Sequence, residues 1–419
     1  MRRVDEGTAS DAEAPIDWRS IVLLNAASTL AHFGQVGIGF IFLPLWATHR
    51  GLDAIELGVL SSALFLGMLL GVMIAPQCKQ RFSAKQIAYF SLLLASIILA
   101  VLPSLPAATW KIAALSLGIS VGLRWLALEP WLYQITPQSL RGRVIGFHEM
   151  LLAATLIFAP LASLWLGVES NLSFYAGAVV VICAFFPLAL SPYVKDLPTE
   201  VKSSQTDAQV QVDQPKSTAE RLHLWATKLR QNWAGPMFQL GFCVALIGGV
   251  VDGAFTGLFP LFALSKSWSA DETAMLLTIE AIGGVLFQYP LGWLADHRGV
   301  LLASLVCLAL TCAAAMMMVL TTSVSTGFFT VFILGGGLTS FLTLGLIAAA
   351  RPSVRPIDMN VSRVSIAFSG GAVLGPLIAG LSASLFGANT LAILIASLSV
   401  LLVLFIVLKR KHFSSAISL

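Results

Sequence analysis

The chain has 419 residues, of which 57% are hydrophobic and 11% charged, with a formal net charge of +4. Soluble domains carry roughly 25% charged residues, so this composition excludes a soluble enzyme, a nucleic-acid binder and a disordered chain. The five cysteines lie in or beside apolar runs, with no CxxC, CxxH or HExxH spacing. No metal site, disulfide framework or cofactor is expected from them.

A helix that crosses a bilayer needs about 20 mostly apolar residues. In chain order, such runs fall at 20–46, 55–75, 85–105, 110–135, 143–167 and 171–193. They resume at 236–264, 272–292, 300–320, 326–350, 360–385 and 388–408. The expectation is an all-α membrane protein with twelve transmembrane helices. Residues 1–19 carry Asp5, Glu6, Asp11, Glu13 and Asp17 with no apolar core, and read as a soluble tail rather than a cleavable leader.

Lys and Arg give the orientation. With both termini inside, only Arg50, Lys111 and Lys266 of the 25 basic residues fall outside, and Arg124 falls within the membrane. The expected place is therefore the cytoplasmic (inner) membrane, multi-pass, with cytoplasmic termini and a tail at 409–419.

The polar stretch at 194–235 reads as a cytoplasmic linker. Within it Leu222, Trp225, Leu229 and Trp233 recur at helical spacing beside Arg221, Lys228 and Arg230. This predicts an amphipathic helix on the membrane face; a cytosolic extension of the next span is the other reading. The linker divides the chain into helical bundles at 20–193 and 236–408. A gapless shift of 216 residues places Gly37 on Gly253, Pro44 on Pro260, Glu56 on Glu272, Gly67 on Gly283 and Pro160 on Pro376. That pattern predicts two six-helix bundles related by pseudo-two-fold symmetry, with a binding site at mid-membrane between them. Gly249, Gly253 and Gly257, then Gly67 and Gly71, then Gly371, Gly375 and Gly380 mark faces for close helix packing.

After the eighth run the chain reads PLGWLADHRG. Gly292, Leu294, Asp296, Arg298 and Gly299 resemble the signature loop of the major facilitator superfamily. The resemblance implies a cytoplasmic conformational latch built on Asp296 and Arg298. In the first half the equivalent stretch is PQCKQRFSAK, where Gln80 replaces the acidic residue and Lys79, Arg81 and Lys85 keep the positive charge. The stretch GVLSSALFLGMLLG, and WLALE followed by RGR, are similar to bacterial drug and metabolite proton antiporters. The chain departs from them in two places. Ala113 and Ala114 stand where an Arg is expected. Thr155 and Ala159 precede Pro160 where two glycines are usual, the glycine form being Gly371, Gly375 and Pro376.

Ionisable groups inside spans cost about 2.5–3.5 kcal/mol each at the helix centre, so they are expected to face a cavity or a partner. They are His32, Arg124, Glu129, His148, Glu149, Asp252 and Glu280. The helical rise puts Glu129 and Glu149 each ~9 Å from the inner end, and Arg124 and His32 roughly 16–18 Å from it. Two layers are thus expected, Arg124 with His32 and Glu129 with Glu149 and His148. Trp125, Glu129 and Tyr133 share one helix face, and Trp125 and Tyr133 are expected to line the substrate cavity. Glu129 is expected to be the main proton-coupling carboxylate, with Glu149 and His148 beside it. A structural pair with an Arg of another helix, or with Arg141 or Arg143, is the other reading of Glu129. A hydrated inner boundary is the other reading of His148 and Glu149. Arg124 is expected to neutralise a carboxylate or attract an anionic substrate. Asp252, Glu280, Gln35, Gln288, His32, Trp131 and Trp46 complete the expected cavity groups, with simple packing the other role for His32 and a surface end the other place for Asp252.

No GxxxxGK[ST] stretch exists, so no direct use of ATP is expected. The function expected is secondary active transport of a small molecule by alternating access, proton-coupled, in a bilayer, by a monomer. Efflux of drug-like compounds or metabolites is favoured; uptake of an anionic or siderophore-like metabolite is the alternative. A lipid flippase on the same fold is a third reading. A polytopic enzyme or receptor is the reading from another class, although no large soluble domain is present.

Overall fold

The computed structural model describes residues 17–138, 140–192, 235–351, 357–409 and 413. The expected linker with its amphipathic helix, and most of both tails, lie outside the described residues. Twelve helices among the described residues are long and apolar enough to span a membrane. They are α1 (Trp18–His49), α2 (Ala54–Lys79), α3 (Ala84–Ser104), α4 (Ala107–Ile135), α5 (Arg141–Leu166) and α6 (Leu172–Leu190). Then follow α7 (Pro236–Ser265), α8 (Ala270–Arg298), α9 (Val300–Leu320), α10 (Val324–Ala349), α11 (Met359–Phe386) and α12 (Thr390–Leu408). Each expected apolar run corresponds to one of them. The chain is an all-helical multi-pass membrane protein.

Starts and stops follow local chemistry. Asp53 and Ser269 cap α2 and α8 through reciprocal boxes with Glu56 and Glu272. Each box satisfies backbone N–H groups that the first turn leaves open. The repeat therefore preserves a capping device: Asp53 and Glu56 fall on Ser269 and Glu272 at the 216-residue shift. Gly299 separates α8 from α9 with φ +92°, a left-handed conformation that costs glycine little.

Packing repeats too. Gly67 of α2 sits against the Leu115 carbonyl of α4, and Gly283 of α8 against the Phe332 carbonyl of α10. Gly37 of α1 meets Ala159 of α5, and Gly253 of α7 meets Ala372 of α11. In hydrocarbon the solvent gives apolar helices no reason to associate. Close backbone approach at small residues supplies the dispersion contacts instead.

The halves meet mainly along α2–α11 and α5–α8. The α2–α11 contacts cluster at the end away from the termini. Gly58 faces the Pro376 carbonyl, Gly380 faces that of Ala54, and Ser62 Oγ donates to the Val373 carbonyl at 2.7 Å. Nearby, Gly257 of α7 lies against Ser61. In α1 the far part, Phe33–His49, packs on α7 and α8. The far end is closed.

One element departs from expectation. The middle of α1, Phe33–Phe42, is a π-helix, where a plain α-helix was expected across 20–46. π segments are rare and occur mostly at functional sites. Gly34, Gly37 and Gly39 fall in it, each within contact of α4, α5 or α6 atoms.

Candidate functional site

The π segment turns Gln35 into the interior, where it is fully buried. Its amide nitrogen donates to Ser91 Oγ and Ser120 Oγ, both at 3.2 Å. That orientation leaves Oε1 to accept from Arg124 Nε at 2.6 Å. Four residues on α1, α3 and α4 thus form one buried network. Arg124 is 1% exposed, and its NH1 group has no hydrogen-bond partner. Among the described residues it forms no ion pair with any carboxylate. The expectation for Arg124 and His32 is a shared layer, and within it the hydrogen-bond acceptor for Arg124 is Gln35. His32 instead shares a 2.6 Å hydrogen bond with Thr155 Oγ1 of α5.

One layer closer to the termini, His148 of α5 is fully buried. Its Nδ1 contacts Asn25 Oδ1 at 3.0 Å. The Asn25 amide nitrogen donates to the Ile21 carbonyl at 2.8 Å, so Oδ1 is the acceptor and Nδ1 carries the hydrogen. Nε2 then faces Glu129 Oε1 at 3.9 Å with no hydrogen-bond partner. Glu129 is 8% exposed and accepts from Tyr133 Oη at 3.4 Å.

Glu149 is exposed and shares no hydrogen bond with this pair; adjacent residues on a helix diverge by about 100°. Trp125 is 42% exposed. No described residue pairs Glu129 with Arg141 or Arg143.

In the second half, Asp252 and Glu280 line one cavity of about 190 Å³ between the halves, with Gln288, Thr256 and Thr339. Asp252 is therefore a cavity residue and not a surface-end one. Phe40 and Phe65, packed edge to face at 5.2 Å, form part of the first-half wall. Gln288 donates to Thr343 Oγ1 at 3.1 Å. Neither carboxylate forms an ion pair among the described residues. Trp46 and Trp131 do not line this cavity. Trp46 is fully buried against Trp110 and Phe174.

The signature loop is at the termini end of α8. Asp296 and Arg298 are exposed, as is Arg81 on the first-half loop. No ion pair joins them among the described residues. Nothing lies within 4 Å of a side chain placed at Gly292. Reasoning from sequence missed Asn25, Thr155, Ser91 and Ser120. Small polar residues are ordinary in spans, and the glycine density of FGQVGIGF was the one signal near them.

No group of three or more His, Cys, Asp or Glu suited to a metal occurs among the described residues. The chain is 23% identical over 378 residues to the uncharacterized MFS-type transporter YcaD of Escherichia fergusonii, covering 90% of this chain and 92% of that protein. It is 25% identical over 386 residues to an uncharacterized MFS-type transporter of Enterobacter sp., covering 88% and 90%. Among solved structures it superposes on the nucleoside transporter NupG with TM-score 0.72 at 12% identity, covering 94% and 99%. A D-xylose-proton symporter gives TM-score 0.70 at 12% identity, covering 93% and 97%. These likenesses show the fold. The model of the Major Facilitator Superfamily matches residues 24–269 and again 241–418. With twelve spans and a polar cavity between halves, the chain belongs to the major facilitator superfamily and is a transporter rather than an enzyme.

Proposed function

We propose that this protein is a proton-coupled secondary transporter of the cytoplasmic membrane, working as a monomer with both termini inside, and that His148 and Glu129 carry the coupled proton. The observation that carries this reading is the unpartnered Nε2 of His148 facing the Glu129 carboxylate. With the termini inside, closure at the far end makes the described conformation open to the cytoplasm. Asp252 and Glu280 form the substrate pocket together with its aromatic wall. Two carboxylates with no ion-pair partner among the described residues, beside apolar walls, suit a molecule with an apolar body and a basic nitrogen, and efflux is the direction that the sequence resemblance to drug and metabolite antiporters favours.

The test uses purified protein in proteoliposomes with an imposed pH gradient and tetraphenylphosphonium and ethidium as probes. Gradient-driven accumulation that is lost in Glu129→Gln supports the reading. Accumulation unaffected by that change removes Glu129 from coupling.

A second reading rests on Arg124. A buried guanidinium with no carboxylate partner and an unpartnered NH1 favours an anionic substrate taken up with protons. Thermal stabilisation by small carboxylates and phosphate esters, absent with cations, would select that reading.

A further inference from the structure

We propose that a groove between the termini-end halves of α1 and α5 is a binding site for an anionic phospholipid, whose phosphate is held by Arg143. The cavity there is about 700 Å³, larger than the one between the halves, and is lined by Trp18, Val22, Asn25, Phe147, Leu151 and Arg143 among others. Its position on the fold is what identifies the occupant. Leu156 of α5 lines the cavity between the halves. Phe147 lies nine residues earlier, which is about 180° around the helix at 100° per residue. The groove therefore opens on the side away from the second half, towards the bilayer. Val22 is 61% exposed and Phe147 52% exposed, as expected of walls that contact acyl chains.

Length and charge agree with a lipid seated in one leaflet. The α1 wall runs from Trp18 to Leu30, and its helical rise gives ~18 Å, close to half of a hydrocarbon core of about 30 Å. Trp18 stands at the outer end of that wall, where tryptophan prefers the headgroup level. Arg143 lines the same end, is exposed, and has no ion-pair partner among the described residues. A guanidinium fork matches phosphate oxygens in two parallel hydrogen bonds. Arg141 is also exposed nearby on α5 and adds to the positive potential at the headgroup. Arg19 shares the interface with the capping carboxylate of Asp17, which hydrogen bonding to Ser20, and less strongly the Arg19 charge, holds below the usual carboxylate range.

The groove also touches the proton pair. Asn25 lines it and accepts from His148 Nδ1. A seated acyl chain excludes water from Asn25 and fixes the hydrogen bond that leaves Nε2 facing Glu129. Lipid occupancy and proton affinity are thereby linked through one side chain.

The experiment is native mass spectrometry of delipidated protein. It is exposed to equal amounts of phosphatidylglycerol and phosphatidylcholine with identical chains. The wild type is expected to retain phosphatidylglycerol roughly tenfold over phosphatidylcholine, the scale of one charge-assisted contact. Arg143→Gln is expected to bring that ratio near one, and Ala26→Trp, which fills the groove, to lower retention of both lipids. Equal retention by the wild type overturns the proposal. So does an unchanged preference in both variants, which would place the lipid elsewhere. The readout is binding alone, so it does not depend on the transport reading or on which membrane face holds the termini.

Discussion

Nε2 of His148 stands 3.9 Å from Oε1 of Glu129, while Nδ1 of the same ring is committed to Asn25. The second contact fixes the tautomer, so the ring meets the carboxylate with a lone pair when neutral. A carboxylate facing an unpartnered ring nitrogen inside the membrane is the arrangement on which the proposed proton coupling rests.

Glu129→Gln removes the carboxylate that faces His148 and keeps the shape. In proteoliposomes, gradient-driven flux is expected to fall by at least roughly tenfold, the effect of about 1.4 kcal/mol on the coupled step. Substrate exchange without a gradient is expected to persist. Loss of both activities together would indicate a structural role instead.

Asn25→Ala removes the acceptor that orients His148. The pH profile of transport is expected to shift while the substrate affinity at saturating proton concentration stays near that of the wild type. Asn25→Asp retains an acceptor at the same place, and its profile is expected to lie between the two. Identical profiles for all three proteins would dissociate Asn25 from the proton site.

Among the described residues, Gln35 is the one hydrogen-bond acceptor for Arg124. Gln35→Ala leaves a buried guanidinium without its acceptor, a loss of about 1.5–3 kcal/mol for a hydrogen bond to a charged group. A lower thermal unfolding midpoint in detergent is expected. Gln35→Glu supplies a counter-charge and is expected to unfold at or above the wild-type midpoint. A midpoint for Gln35→Ala equal to that of the wild type would show that the network carries little stability.

Gly58 and Pro376 set how closely α2 and α11 approach at the far end. A Cβ at position 58 would lie 2.5 Å from the Pro376 carbonyl oxygen, well inside van der Waals contact. Gly58→Val is expected to separate these helices and favour the state open at that end. A cysteine introduced at Ala54 is then expected to react faster with a membrane-impermeant maleimide than in the Gly58 background. An unchanged labelling rate would mean that this contact does not gate the far end.

Asp252→Asn and Glu280→Gln test the pocket separately from the proton pair. Each is expected to weaken binding of tetraphenylphosphonium by about tenfold, one unit of 1.4 kcal/mol. Under the anionic-substrate reading both changes leave affinity for small carboxylates unchanged or raised. Equilibrium binding to the purified protein distinguishes these outcomes.

Sequence alone determined the number and order of the spans. In a bilayer every backbone polar group has to be satisfied within its own helix, so runs of apolar residues translate directly into elements. It also gave the repeat, because glycines and prolines that permit close helix approach cannot be exchanged freely. The pairings Gly67 with Leu115 and Gly283 with Phe332 are that repeat expressed as contacts. Only the tertiary structure decided which buried polar groups meet. Helical rise placed Arg124 and His32 at similar depth, yet depth does not give azimuth. The π segment at Phe33–Phe42 rotates Gln35 towards Arg124 and leaves His32 to Thr155. A partner on another helix is fixed by packing, and packing depends on side chains tens of residues away.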